Sequence, residues 1–392
     1  MSNIDKNKKI TEVTVLSLIG IVMFLIFTRM FYFQAIKEFS SDLVSHIYFA
    51  RNGKGYSFLY SIMGFLLNIY DNVNIIAVLG SLMVTGTWLA TAKLISMMMK
   101  DMGYFKSAIV ALPLLIVTGI YSPVIYPFFY TRQLVTQPYH NITYYGMRLF
   151  AVFAMIFFYK MFDGYLKKIN VFNWIVLALM LVASTSVKPS FFYGFALCLL
   201  IFLIIDFFKS GFKAKPLGHI ILMGLVVIPS VLIMLSQYII LYVGKTPGAE
   251  PSGGIALVWG ANFIKYGFKS TVLKIVCSIG FPCLVGLKNI KKMTRFDKFC
   301  YIMFFIELII TIMFVETGKR AKDGNFYWGL YCGSYFVFIA AVTNFIKNVI
   351  EREKEGKLLT PYPITGFVML SLHLSSSLSY FVSIMSGEHF FR

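Results

Sequence analysis

Apolar stretches of roughly 17–25 residues recur between Val13 and Met385, and each is long enough to cross a bilayer as a helix. They constrain the fold more than any other feature of the chain. Only 14% of the residues are charged, whereas a soluble domain has about 25%. The sequence therefore predicts an all-α polytopic membrane protein, with residues 1–392 forming a single integral membrane domain.

The apolar stretches predict about eleven transmembrane helices. A further run, Tyr56–Tyr70, is about 15 residues long, which is short for a crossing, and we expect an amphipathic or re-entrant segment there. No small-residue cleavage site follows the first run, so we expect it to remain as a helix. The predicted spans are Val13–Phe33, Val73–Met99, Ser107–Tyr126, Met147–Met161, Val171–Val187, Phe191–Phe208, His219–Val243, Thr271–Leu287, Phe299–Val315, Phe326–Phe345 and Tyr362–Met385.

Charges in the loops orient these helices. If Tyr56–Tyr70 does not cross, every short loop on the side of the N-terminus is cationic, as the positive-inside rule predicts for the cytoplasmic face. The formal net charge of +19 then comes largely from loop lysines and indicates no nucleic-acid partner. The first extracytoplasmic loop is predicted over residues 34–72, with juxtamembrane helices.

On this orientation the polar chemistry collects on the extracytoplasmic side, beginning with Asp42 and His46. Four residues apart, they would share one face of a helix, while Leu43, Ile47 and Ala50 would lie on another face. The segment could then lie along the membrane surface. The simpler alternative is a surface helix in which Asp42 is an N-terminal charge favoured by the helix dipole.

Three later segments add polar groups on the same side. His140, Asn141 and Arg148 lie in "QPYHNITYYGMRLF", where rings beside hydrogen-bonding groups suit a sugar, although tyrosines also belt membrane interfaces. Lys188 in "SVKPSFF" is either a lysine extending its ammonium to the interface or a cation for a lipid phosphate. Arg320 in "ETGKRAKDGNFYWG" offers a bidentate fork suited to phosphate.

Several common catalytic motifs are absent from the sequence. There is no Walker A loop, no HExxH and no GxSxG, which argues against ATP hydrolysis, zinc proteolysis and an α/β-hydrolase nucleophile. The five cysteines form no CxxC pair and no cluster with histidine. The sequence therefore predicts neither a structural zinc site nor a disulfide framework.

Four segments carry a resemblance to known proteins: "SDLVSHI", "PYHNITYYGMRLF", "VKPSFF" and "GNFYWGLY". They are similar to segments of a group of multi-pass proteins of Gram-positive bacteria associated with cell-surface polysaccharide. A first helix, an outer loop with an acid and then an amphipathic segment resembles the GT-C superfamily of polyprenyl-phosphate-dependent glycosyltransferases. This resemblance implies a GT-C-like fold in the bacterial plasma membrane, with an extracytoplasmic active site and a cytoplasmic N-terminus.

The resemblance also implies a reaction. A sugar would move from a polyprenyl-phosphate donor to a cell-surface glycan or lipid-linked acceptor, with Asp42 as the catalytic base. Lys188, Arg148 and Arg320 would bind the phosphate. Many members carry two adjacent acids, and some use a divalent metal; here Ser41 takes the neighbouring position, which favours a reaction without metal or other cofactor. The expected substrate-binding residues are His46, His140, Asn141, Glu316 and Asn325.

Two other functions fit the same sequence. An O-antigen or capsule repeat-unit polymerase would also handle a lipid pyrophosphate on the outer face, but typically has a larger outer loop late in the chain. A flippase or transporter for a lipid-linked sugar would need polar groups at mid-membrane depth on several helices. Asp206 and Glu307 are among the few acids near the predicted spans.

Overall fold

The computed structural model describes residues 3–53, 55–121, 138–243, 253–260, 268–318 and 324–387, and most of them are helical. Two short strands, β1 (Ile255–Leu257) and β2 (Phe314–Glu316), pair antiparallel with Ile255 opposite Glu316. The helices are α1 (Asn3–Ala35), α2 (Leu43–Arg51), α3 (Phe58–Ile69), α4 (Asn74–Met98), α5 (Gly103–Leu114), α6 (Ile142–Phe162), α7 (Val171–Val187), α8 (Ser190–Lys209), α9 (Ala214–Leu225), α10 (Ile228–Tyr238), α11 (Phe268–Asn289), α12 (Arg295–Met313), α13 (Tyr327–Lys354) and α14 (Pro361–Met385).

Eight helices of the described part are long and apolar enough to cross a bilayer, which confirms an all-α polytopic membrane protein. α13 is the most enclosed of them: 89% of its most apolar 18-residue stretch is buried. In α1, only 11% of the corresponding stretch is buried. α13 therefore lies at the centre of the bundle and α1 at its edge. The eight are Asn7–Ala35, Asn74–Met98, Ile142–Phe162, Ser190–Lys209, Ala214–Val243, Thr271–Asn289, Tyr327–Lys354 and Pro361–Met385.

The predicted span Ser107–Tyr126 is not a continuous helix. α5 ends at Leu114, directly after Pro113, which lacks the N–H that would extend the helical ladder. The following backbone is buried and finds partners elsewhere: the N–H of Thr118 donates to Oγ of Ser377 on α14, at 2.8 Å. Non-helical backbone is tolerated at membrane depth where other protein groups satisfy it in this way. The last residues of the predicted span lie outside the described part.

Three other helices bear on the predicted count of eleven. α3 has 12 residues and so extends about 18 Å, well short of the ~30 Å hydrocarbon core. α7 is an apolar helix of 17 residues, and α12 has 19 residues with four charged side chains. The count of eleven and the re-entrant character of the Tyr56–Tyr70 run remain predictions.

The two ends of the bundle differ in charge. The loops that follow α4, α6, α8, α11 and α13 lie at one end, and together with the helix ends that flank them they hold most of the described lysines and arginines. At the other end, the C-terminus of α1 meets the N-termini of α2, α6, α8 and α13. We call this second end the site end, because the segments singled out in the sequence converge there.

Candidate functional site

Hydrogen bonds fix the chain between α1 and α2 against the segment that precedes α6. The Gln34 side chain, in the last turn of α1, donates to the carbonyl of Tyr139 at 2.9 Å. Oγ of Ser41 and the N–H of Asp42 both donate to the carbonyl of His140, at 2.7 and 3.1 Å. Two segments about a hundred residues apart in sequence are thereby held in one place.

The Asp42 carboxylate faces a small polar cluster and remains accessible. Asp42 immediately precedes α2, but its side chain makes no capping hydrogen bond to that helix. Its Oδ2 instead accepts a hydrogen bond from Nδ2 of Asn141 at 3.3 Å and lies 3.8 Å from Nε2 of His140. The Asp42 side chain is 42% exposed. A carboxylate oriented by the protein yet open to solvent can accept a proton from an incoming group.

Asn141 has two contacts with different consequences. It is the N-cap of α6, and its Oδ1 accepts from the N–H of Tyr144 at 3.2 Å, which satisfies a backbone donor of the first turn. Its Nδ2 is the group that donates to Asp42. The start of α6 and the orientation of the Asp42 carboxylate therefore depend on the same side chain.

His46 lies on the buried face of α2, together with Leu43, Ile47 and Ala50. The prediction that it shares a polar face with Asp42, separate from those three residues, is therefore wrong. The short helix packs closely enough on α3 for Nδ1 of His46 to reach the hydroxyl of Tyr60 at 2.8 Å. Its Nε2 is buried and has no hydrogen-bond partner among the described residues.

Both histidines of the cluster are neutral at physiological pH. Burial lowers the pKa of His46 to about 4; the Asp42 carboxylate opposes this shift, while Lys188 and His140 add to it. Burial also lowers the pKa of His140 to about 4; here too the Asp42 carboxylate raises the pKa and Lys188 lowers it. Asp42 and Lys188 thus shift the pKa of the same two imidazoles, in opposite directions.

Lys188 does not extend to the interface as a solvated lysine would. It precedes Pro189, which disfavours helical backbone at the preceding residue, and its extended conformation (φ −160°, ψ 126°) separates α7 from α8. The residue is only 3% exposed. Its ammonium lies 4.4 Å from the ring centroid of Trp328, and the same ring lies 5.3 Å from that of His140.

Arg148 lies deeper in the bundle than the sequence indicated. The predicted span begins at Met147, which places Arg148 at its outer end, but α6 begins at Ile142, so Arg148 is in its second turn and fully buried. Its guanidinium is 5.5 Å from the ring centroid of Tyr144 and 4.8 Å from that of Tyr335. Because Tyr144 packs on Trp328, a series of aromatic contacts connects Arg148 to Lys188. Its part in phosphate binding remains a prediction.

Glu316 and Asn325 lie together. Glu316 ends β2 and is 6% exposed. Its Oε1 accepts from the hydroxyl of Tyr242 at 2.5 Å, and its Oε2 accepts from Nδ2 of Asn325 at 2.7 Å. Lys188 and Glu316 line one pocket. Arg320 falls outside the described residues.

Four residues of the site were not predicted from the sequence: Gln34, Tyr60, Tyr242 and Trp328. Gln34 ends an apolar helix with a polar amide, and Trp328 lies in the quoted segment "GNFYWG", so both offered a signal. Tyr60 and Tyr242 offered none, because tyrosines are common at membrane interfaces for other reasons.

Comparison with known proteins adds no assignment to this geometry. No family model, curated protein or solved structure matches the chain at a significant level. Within the described ranges, no three His, Cys, Asp or Glu side chains are grouped so that they could hold a metal ion. Any function must therefore be argued from the site itself.

Proposed function

We propose that the protein is a membrane glycosyltransferase that moves a sugar from a polyprenyl phosphate to a glycan or lipid-linked acceptor. One observation carries the proposal: at one end of a membrane bundle, the accessible Asp42 carboxylate lies 3.8 Å from Nε2 of His140, and the buried Lys188 ammonium packs on the Trp328 ring, which also contacts His140. A base and an anion-binding cation in one cluster are what this transfer requires.

The proposed step moves one proton and exchanges one bond. The acceptor hydroxyl gives its proton to the Asp42 carboxylate as its oxygen attacks the anomeric carbon of the donor. A new carbon–oxygen bond forms there, and the bond from that carbon to the phosphate oxygen breaks. The polyprenyl phosphate leaves with the bonding electrons, and the Lys188 ammonium stabilises the negative charge that develops on it.

The neighbouring groups have supporting roles in this scheme. Asn141 orients the Asp42 carboxylate through its amide N–H. His46 and His140 are neutral, so each has one donor and one acceptor nitrogen. Nδ1 of His46 is engaged with the hydroxyl of Tyr60, and its Nε2 is buried. Trp328 holds the Lys188 ammonium in place.

The charge distribution supports an extracytoplasmic site. The loops at the end opposite the site are rich in lysine and arginine, as the positive-inside rule predicts for a cytoplasmic face. Nucleotide sugars are not normally present outside the plasma membrane, so a donor there would be carried on a lipid phosphate. We therefore propose that the site end faces outward in a bacterial plasma membrane.

The substitution Asp42→Asn tests the proposal directly. Purified protein in lipid vesicles is supplied with radiolabelled polyprenyl-phosphate glucose, galactose, mannose or N-acetylglucosamine and a membrane extract as acceptor source. We expect Asp42→Asn to lower transfer about 10²–10⁴-fold, the usual contribution of a general base, at an unchanged amount of folded protein.

A nearby acid provides the matched control. Asp71 forms an exposed ion pair with Arg51, and its side chain is 73% exposed. Asp71→Asn removes the same charge outside the cluster and should leave transfer unchanged. Full transfer by Asp42→Asn would contradict the proposal, as would movement of the lipid-linked sugar across the vesicle membrane without transfer by the wild-type protein.

A further inference from the structure

The short strand β1 presents an exposed apolar face at the site end. Side chains along a strand alternate between its two faces, so Ile255 and Leu257 share one face, and both are exposed. Trp259 follows in the turn after the strand and is 78% exposed. Residues 253–260, which we call the apolar strand segment, contain no charged side chain. A large apolar surface left open in this way indicates contact with a partner or a membrane.

Backbone hydrogen bonds hold the apolar strand segment in a fixed orientation. β1 pairs with β2 along its whole length. Beyond one end of the pairing, the N–H of Thr317 donates to the carbonyl of Gly254 at 2.9 Å. Beyond the other end, the N–H of Val258 donates to the carbonyl of Met313 at 2.8 Å. The backbone therefore fixes the direction of the exposed face without burying its side chains.

The contact with Met313 places the segment at the end of an exposed apolar stripe on α12. Met313 is the last residue of this helix, and Ile309 and Phe305 lie one and two turns before it on the same side. Both of these side chains are exposed. α12 packs on α8 and α13, two helices long and apolar enough to cross a bilayer. An exposed apolar stripe on a helix of such a bundle faces lipid, and the apolar strand segment continues it beyond the helix end.

The chemistry of the segment limits how deep it lies. The sheet has two strands, so within the described residues each strand has one edge without a strand partner. Open sheet edges do not occur in the hydrocarbon region, because no water is present there to satisfy their N–H and C=O groups. Tryptophan is enriched at the boundary between membrane and water. Both properties indicate the level of the lipid headgroups.

We propose that the apolar strand segment lies in the bilayer interface at the site end, with Ile255, Leu257 and Trp259 in contact with lipid. The partner is the lipid surface itself, and the inference does not depend on the proposed reaction. Because Ile255 is paired with Glu316, the segment also anchors β2 at the membrane surface. The strand pair then connects the site end to the bilayer.

Tryptophan fluorescence of the protein in nanodiscs tests this placement. The chain has four tryptophans, so the emission of Trp259 is the difference between wild-type and Trp259→Phe protein. The lipids carry bromine, which quenches on contact, either near the ester end of the acyl chain or near its terminal methyl group. We expect the emission of Trp259 to be blue-shifted, to be largely lost with bromine near the ester end, and to be retained with bromine near the methyl end.

Trp88→Phe is the matched control. Trp88 is fully buried in α4, so the emission that this variant removes should not respond to either lipid. In a second variant, Leu257→Asp places a charge on the exposed face without changing the core. It should reduce quenching of Trp259 by bromine and increase quenching by iodide in the buffer, because the segment moves toward water.

Three results would overturn the proposal. Emission of Trp259 that iodide quenches and brominated lipids leave unchanged would place the segment in water. Emission that neither reagent quenches would show that protein, such as a second copy of this chain, covers the segment. Stronger quenching by bromine near the methyl end would place Trp259 in the hydrocarbon core rather than at the interface.

Discussion

The two ends of the bundle each contain an acid and a cation, but in different arrangements. At the end opposite the site, Asp206 at the end of α8 pairs directly with Arg295 at the start of α12, and the hydroxyl of Tyr165 donates to the same carboxylate oxygen at 2.5 Å. Phe162 packs 4.3 Å from the Arg295 guanidinium. At the site end, the Lys188 ammonium packs on the Trp328 ring, and the Asp42 carboxylate is partly open to solvent.

This difference distinguishes structural from functional use of charge. In a closed pair such as Asp206 and Arg295, the two charges neutralise each other and connect two helices. The pair therefore exerts little electrostatic attraction on a ligand. At the site end, hydrogen bonds and packing orient the charged groups toward a pocket and solvent. Perturbed histidines beside such a pocket are typical of functional sites, whereas the closed pair is typical of a structural one.

The substitution Arg295→Met should produce the largest loss of stability. It leaves the Asp206 carboxylate, only 7% exposed, without its cation, and breaking a buried pair in this way costs about 3–5 kcal/mol. Unfolding of the protein in mixed micelles measures the change. Transfer activity per folded molecule should remain at the wild-type level, because the pair lies at the end away from the site.

Two controls sharpen this result. Lys292→Met breaks an exposed pair with Glu351 and should change stability little, as is usual for surface ion pairs. Asp206→Leu combined with Arg295→Met removes both buried charges and should recover most of the lost stability. An Arg295→Met protein as stable as Lys292→Met would show that the closed pair has no structural role.

The site end should respond to pH because of its two histidines. Their folded-state pKa values of about 4 lie below the ordinary value of 6.5, so the unfolded chain binds more protons between these values. The resulting stability is complete above about pH 6.5 and is lost as pH falls toward 4, by up to about 3 kcal/mol per histidine. Unfolding measured across this range should show the decline.

Replacing His46 and His140 by glutamine together should flatten that profile, because glutamine does not titrate. The charged groups that act on the two rings, Asp42 and Lys188, remain in this variant, so any residual slope measures their contribution. An unchanged decline between pH 6.5 and 4 in the double variant would contradict the assignment of this pH response to the cluster.

Sequence patterns predicted the membrane class and most of the spans, because crossing a bilayer requires long apolar runs whatever the tertiary contacts. They also singled out Asp42, Asn141 and Lys188, which are polar groups where apolar ones would be expected. The face of His46 was predicted wrongly, and α6 begins a few residues before the predicted span, because small shifts of a helix boundary change which side chains are enclosed. The contact between Glu316 and Tyr242 joins two residues 74 positions apart in the sequence and had no local signal.

The helix N-caps at the two ends of the bundle give the comparison with the smallest expected change in stability, and it is also the most specific one. Asn141→Ala should cost about 1 kcal/mol of stability and also lower transfer several-fold, because Asp42 loses the amide that orients it. Asn141→Ser retains a capping oxygen, so it should restore stability but not transfer. At the opposite end, Thr294 caps α12 in a reciprocal pair with Asp297, and Thr294→Ala should cost similar stability with transfer unchanged. Equal transfer in Asn141→Ser and wild-type protein would show that the amide contact with Asp42 has no part in the reaction.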